Sequence, residues 1–177
     1  MEVATPLIEE VSELAGRAAD QGSVIAFQST LAAAAKAVQQ ALQREEAAEQ
    51  AALSLAQQDA LHDMTDELRA VSEALQGSLD RQGRCLMPAC DEGKRRAFRL
   101  PHPIRAMRKD KETTPRPTWW FSLAEAIEVL EDGADRLGAL ASGQPDDAPS
   151  RTLGRATADL LRSHQERLVS EADRWMD

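Results

Sequence analysis

SVIAFQSTLAAAAKAVQQALQREEAAEQAALSLAQQDALHDMTDELRAVSEALQ, Ser23 to Gln76, is 54 residues long, contains no glycine or proline, and holds 15 alanines. Alanine is the best helix former and neither breaker interrupts the run, so the stretch predicts one long helix or a long helical hairpin. Val24, Phe27, Leu31, Ala34, Val38, Ala41, Glu45, Ala48, Ala52 and Leu55 recur three and four apart, and nine of these ten positions are apolar. This is a coiled-coil-like seam with small residues in its middle. Leu61, Met64, Leu68, Val71 and Leu75 form a second series that does not continue the first register. Such a slip marks a bend or a tight turn, which the reading places around Gln57-Gln58-Asp59. Unbroken, the stretch would run about 80 Å at 1.5 Å per residue. The rest of so short a chain could not cover such a rod, which favours the hairpin.

On the N-terminal side, Thr5-Pro6 reads as an N-cap with proline at the first helical position. Leu7, Ile8, Val11, Leu14, Ala15 and Ala18 then keep helical spacing until Asp20-Gln21-Gly22, after which Ser23 can cap the next helix. On the other side, Gly77, Gly83, Pro88, Gly93, Pro101, Pro103, Pro115 and Pro117 punctuate a region that cannot be one long helix. Order is expected to return at Trp119-Trp120-Phe121. Ser122 and Glu125 there have the spacing of a capping box, and Leu123, Ile127, Leu130, Ala134, Leu137 and Ala141 continue at helical spacing. A polar linker from Gly143 to Pro149 precedes a last helix, capped by Ser150 and carrying Leu153, Leu160, Leu161, His164, Leu168 and Trp175.

The expected fold is all-α: an antiparallel bundle of four to five helices with coiled-coil-like long helices and one long crossover. At 177 residues it reads as one domain, with N-terminal helices over 5–80, a crossover over 81–118 and a C-terminal helical hairpin over 119–177. Only 3% of the residues are aromatic and none is tyrosine, so the core must be aliphatic. No apolar run approaches the roughly 18 residues that span a bilayer. The opening Met1-Glu2 has no basic n-region, and a cytoplasmic location is expected.

Charge is sharply segregated. Arg81 to Thr118 carries eleven Lys and Arg against four acids, a local charge of +7, while the whole chain is at -9 and the remainder therefore at -16. A basic insert between acidic helical blocks can dock on a polyanion, or fold back onto acidic helices of its own chain or of a sister subunit.

Several groups of residues are candidates for chemistry. Cys85 and Cys90, with His102 beyond them, are the thiolate and imidazole types that zinc prefers. Their spacing matches no strong zinc pattern, no fourth ligand is evident, and unpaired thiols are the simpler reading. Asp59, His62, Asp63, Asp66 and Glu67 crowd one side of a helix, suggesting a divalent cation, a basic partner or a solvated acidic face. Glu9, Glu10 and Glu13 form an EExxE pattern. It resembles the first metal-binding helix of the all-α nucleoside triphosphate pyrophosphohydrolases, in which a second helix supplies an ExxD pair and the carboxylates clamp magnesium around a triphosphate. That ExxD is missing at the expected separation, and Glu128, Glu131, Asp132 and Asp135 only approximate it far downstream. Phosphate-cradling glycine loops, dinucleotide fingerprints and hydroxyl-nucleophile arrangements are absent. His164 lies on the apolar stripe of the last helix, where a hydrogen-bonded core residue is expected rather than a catalyst.

What remains is binding. Phe98, Trp119, Trp120 and Phe121 are four of the six aromatics and lie within or beside the basic run. Trp and Arg together make protein hot spots, and they also stack bases and hold phosphates. The sequence therefore predicts a non-enzymatic protein-binding module without cofactor: an adaptor, a chaperone-like factor or a self-assembling subunit. Its binding residues would be Arg95, Arg96, Arg99, Arg105, Arg108, Lys109, Trp119, Trp120 and Phe121. One alternative is a nucleic-acid-associated factor gripping phosphates through residues 81–118. Another is the magnesium-dependent nucleotide hydrolase led by Glu9, Glu10 and Glu13.

Overall fold

The computed structural model describes residues 4–18, 21–86 and 119–176. These residues form five helices that pack against one another, α1 (Ala4–Arg17), α2 (Gln21–Ala51), α3 (Leu55–Leu86), α4 (Trp119–Ser142) and α5 (Pro149–Met176), with no strand among them. The all-α expectation holds. No helix among the described residues is long and apolar enough to cross a membrane.

The core follows the apolar periodicity. Phe27, Leu31, Ala34, Val38, Ala41 and Ala48 of α2 are buried, as are Leu61, Met64, Leu68, Val71 and Leu75 of α3. Leu123, Leu130, Ala134, Leu137 and Ala141 of α4 and Leu153, Leu160, Leu161 and Leu168 of α5 close over them. Leu7, Val11 and Leu14 seal α1 onto the same core. Helix α2 packs against α3, α4 and α5, while α1 packs against α3 and α5. Every helix thus shares one apolar interior, which is what lets long amphipathic helices persist in water.

The long alanine-rich stretch does break, but at Ala52-Leu53-Ser54 and not at Gln57-Gln58-Asp59. The reason is local hydrogen bonding. Ser54 Oγ accepts from the Gln57 backbone N–H at 3.3 Å, and Gln57 Oε1 accepts from the N–H groups of Ser54 at 3.2 Å and Leu53 at 2.9 Å. This is a capping box with glutamine at its third helical position, so Gln57 belongs to the first turn of α3. Leu55, read as the end of the first seam, is consequently exposed.

Other boundaries also move: α1 already includes Thr5, and α5 begins at Pro149, so neither Thr5 nor Ser150 is the cap expected of it. Helix α3 continues through Gly77 and Gly83 to Leu86, six residues past the expected end of the N-terminal helices. Ser78 helps carry it, with its hydroxyl donating to the Ala74 carbonyl at 3.0 Å while accepting from Arg81 at 3.0 Å. Helix α4 starts at Trp119, three residues ahead of the expected cap. Burial of the Trp119 indole anchors that extra turn, Ser122 is buried inside the helix, and Glu125 turns to Arg44 of α2 instead of capping. Helix α2 begins at Gln21, which puts Ser23 in its first turn and not at its cap.

Two glycines in α4 and α5 mark where helices come close. A Cβ on Gly154 would meet the Ala141 Cβ at 3.1 Å and the Leu137 carbonyl at 3.5 Å, and one on Gly133 would meet Leu161 Cδ1 at 3.1 Å. Hydrogen at these positions is what admits the neighbouring helix.

Candidate functional site

The sequence-derived candidates divide sharply by place. Arg95, Arg96, Arg99, Arg105, Arg108, Lys109, Cys90 and His102 lie outside the described residues. Glu9 and Glu10 lie on α1 and Cys85 on α3, with their side chains outside the description. Glu13 is exposed and bonded at 2.7 Å to Arg17 Nη2, one turn along the same helix. Among the described residues no three His, Cys, Asp or Glu side chains converge as a group able to hold a metal ion.

The acidic face of α3 is largely engaged within the protein. His62 Nδ1 sits 3.0 Å from Glu49 Oε1 of α2, and its Nε2 lies 3.5 Å from Asp66 Oδ2. The hydrogen bond to Glu49, followed by the Asp66 charge, raises the His62 imidazole above its ordinary value of 6.5. Arg69 pairs with Asp66 and reaches Glu46 Oε1 of α2 at 2.9 Å. Glu67 turns inward, accepting from Arg167 of α5 at 2.5 Å. Burial pushes the Glu67 carboxyl up, but the hydrogen bond from Arg167, together with the neighbouring His164 and the Arg167 charge, outweighs it and holds the group below its ordinary value of 4.5. On α4, Asp132 pairs with Arg136 and Asp135 faces Arg162 at 3.6 Å.

Two open clefts flank these contacts. One of about 430 Å³ lies between α2 and α4, bordered by Lys36, Arg44, Asp132 and Arg136 over Ala37 and Gly133. The other, about 330 Å³, lies between α3 and α5 beside Asp63, Arg167, Glu171 and Arg174. In both, most of the bordering cations are already matched by carboxylates of this chain: Arg44 by Glu125, Arg136 by Asp132, Arg167 by Glu67 and Arg174 by Glu171.

The aromatic run at the start of α4 is where surface and core part company. Trp119 is buried, and its ring stacks edge-on with Trp120 at a centroid separation of 4.6 Å. Trp120 is 40% exposed and Phe121 56% exposed. At the α2–α3 turn, Leu53 and Leu55 are exposed by 79% and 72%. Water in contact with side chains of this size is unfavourable unless something else covers them.

Sequence reasoning missed one contact. Glu45 was visible as the lone acid in the α2 seam and His164 as the lone histidine in the α5 stripe, and the two meet in the core. Both residues are fully buried, with His164 Nδ1 3.2 Å from Glu45 Oε1 and His164 Nε2 3.5 Å from Glu67 Oε2. The signal for it was that each apolar series has a single polar member at an inward position.

No protein-family model matches the chain, and no curated protein or solved structure is detectably similar to it.

Proposed function

We propose that the chain is a non-enzymatic, cytoplasmic helical module that binds another protein, whether as adaptor, chaperone-like factor or self-assembling subunit. In this reading the helices form an antiparallel bundle with coiled-coil-like seams. The pairings Glu49 with His62 and Glu46 with Arg69 support an α3 that returns along α2, and the pairing of Arg44 with Glu125 supports the same sense for α4. From Arg44, α2 has about two turns left before Ala51, and from Glu125, α4 has about two turns back to Trp119. The α2–α3 turn and the aromatic start of α4 then share one end of the molecule.

The observation that carries the reading is the exposure of Leu53, Leu55, Trp120 and Phe121 there. Large side chains of this kind are the anchors of protein interfaces, and truncating such an anchor typically costs about 2 kcal/mol or more of binding. The basic residues 81–118 precede Trp119 directly in the chain and would add long-range attraction to an acidic partner.

The test is affinity capture from lysate at low and high salt. It compares the wild type, a Trp120→Ser/Phe121→Ser variant, and a variant with Arg95, Arg96, Arg99, Arg105 and Arg108 changed to serine. A stoichiometric protein that survives high salt and is lost with the aromatic substitutions is the expected result. Recovery instead of nucleic acid that vanishes with salt and with the arginine substitutions would replace this reading with phosphate binding through residues 81–118.

A further inference from the structure

Where residues 87–118 begin and end confines their path. In the antiparallel arrangement proposed above, on which this inference rests, α3 and α4 run in the same direction along α2. Arg69 of α3 and Glu125 of α4 sit at neighbouring levels, beside Glu46 and Arg44 of α2. At 1.5 Å per residue, α3 runs about 25 Å onward from Arg69 to Leu86, while Trp119 lies about 9 Å from Glu125 in the opposite sense. The two ends of the segment are then about 30 Å apart along the bundle. Extended, a segment of this length reaches about 100 Å, so it has slack to follow the surface.

The direct route passes over α2. This helix meets α3 through Glu46 and Glu49 and meets α4 through Ala37 and Arg44. Between those two edges its exposed stripe from Ile25 to Gln50 reads Ile, Ser, Ala, Lys, Gln, Gln, Ala, Gln at steps of three and four. The stripe carries no carboxylate, in a chain that has 30. A path around the other side would have to cross α1 and α5, which pack against each other.

Along one edge of the stripe lies the cleft of about 430 Å³ between α2 and α4. Ala33, Ala37, Val129 and Leu140 give it half-buried apolar sides. Glu128 and Glu131 of α4, and Glu73 one turn past Arg69 on α3, are exposed and form no ion pair among the described residues. Residues 87–118 hold the complementary chemistry, with nine Lys and Arg against four acids and with Phe98, Leu100 and Ile104 set among the arginines. Because both ends of the segment are tethered to the bundle, docking is intramolecular and a modest contact is enough to hold it.

We propose that the α2–α4 cleft is the docking site of this chain's own crossover, with the apolar residues between Phe98 and Ile104 filling the cleft and the flanking arginines facing Glu73, Glu128 and Glu131. Apolar burial fixes the place and opposite charge fixes the side of the bundle.

The test uses the full chain with a photoreactive benzoylphenylalanine in place of Phe98, prepared as an equal mixture of ¹⁵N-labelled and unlabelled protein. Irradiation should join the probe, within one chain, to α2 near Ala33–Ala37 or to α4 near Val129–Leu140. Joining to α1 or α5, joining of labelled to unlabelled chains, or no crosslink would overturn the proposal. A second measurement follows tryptic cleavage after Arg95, Arg96, Arg99 and Arg105. Val129→Lys with Leu140→Lys should speed it about tenfold, because cleavage tracks the population of the open form. Equal rates in wild type and variant would also overturn the proposal. The same probe at Ala47 tests the arrangement separately, since it should label the first two turns of α4 only if α4 runs antiparallel to α2. No partner is added, so failure of the protein-binding reading leaves these results untouched.

Discussion

Gly77 and Gly154 are both interior helix positions, but their surroundings are opposite. A Cβ on Gly77 would meet only Arg81 Nη1, at 3.9 Å, whereas one on Gly154 would press on Ala141 at 3.1 Å. Gly77→Ala should therefore stabilise the chain by about 0.5–1 kcal/mol through helix propensity and a less entropic unfolded state. Gly154→Ala should destabilise it by about 1–3 kcal/mol, because two helices must move apart. Urea titration of both variants checks the pair of signs. His62 offers a pH test. Its folded-state pKa is raised above 6.5 by Glu49 and Asp66, so the stabilisation it supplies is complete below 6.5 and disappears as pH rises through the raised value. An NMR titration should place the His62 midpoint above 6.5, and Glu49→Gln should bring it back towards that figure.

At the scale of the helix, the break at Ala52-Leu53-Ser54 rests on two side chains. Ser54→Ala removes the hydroxyl that accepts from the Gln57 N–H and should cost about 1 kcal/mol, measurable as a lower urea midpoint with an unchanged slope. The pattern serine, two residues, glutamine was there to be read, but alanine-rich periodicity on both sides hid it and the polar residues Gln57-Gln58-Asp59 drew the expected turn five positions downstream. The same kind of error runs the other way at α4. Ser122 and Glu125 have a capping box's spacing, yet the helix begins earlier because burial of Trp119 outweighs the local signal. Gly77 looked like a terminator and was not, since a helix fixed on both sides of it tolerates the roughly 1 kcal/mol that one interior glycine costs. Periodicity located the helices, while their ends depended on packing that only the folded chain reveals.

Across the molecule, the aliphatic core was largely readable, since most positions in the apolar series are buried, with Val24, Ala52 and Ile127 only partly so and Leu55 exposed. The candidate site was readable only in part. Three consecutive aromatics look alike in a sequence, and nothing local says that Trp119 goes inward while Trp120 and Phe121 stay out. Nor does any spacing announce that Glu45 meets His164, because which helix faces meet is set by the whole arrangement. One shared core has a measurable consequence. Leu68→Ala in α3 and Leu130→Ala in α4 should each cost about 2–5 kcal/mol. Each should also shift one common unfolding transition, seen identically by circular dichroism and by protection of amides in α2 from hydrogen exchange.

The crowding of indoles at the start of α4 has a practical sequel. The chain has no tyrosine and three tryptophans, so its near-ultraviolet emission arises from Trp119, Trp120 and Trp175. The first two are in ring contact and sit at the boundary between interior and water. Anything that covers the exposed half of that pair should shift its emission to the blue, giving the protein a built-in optical reporter at the very surface proposed for its partner.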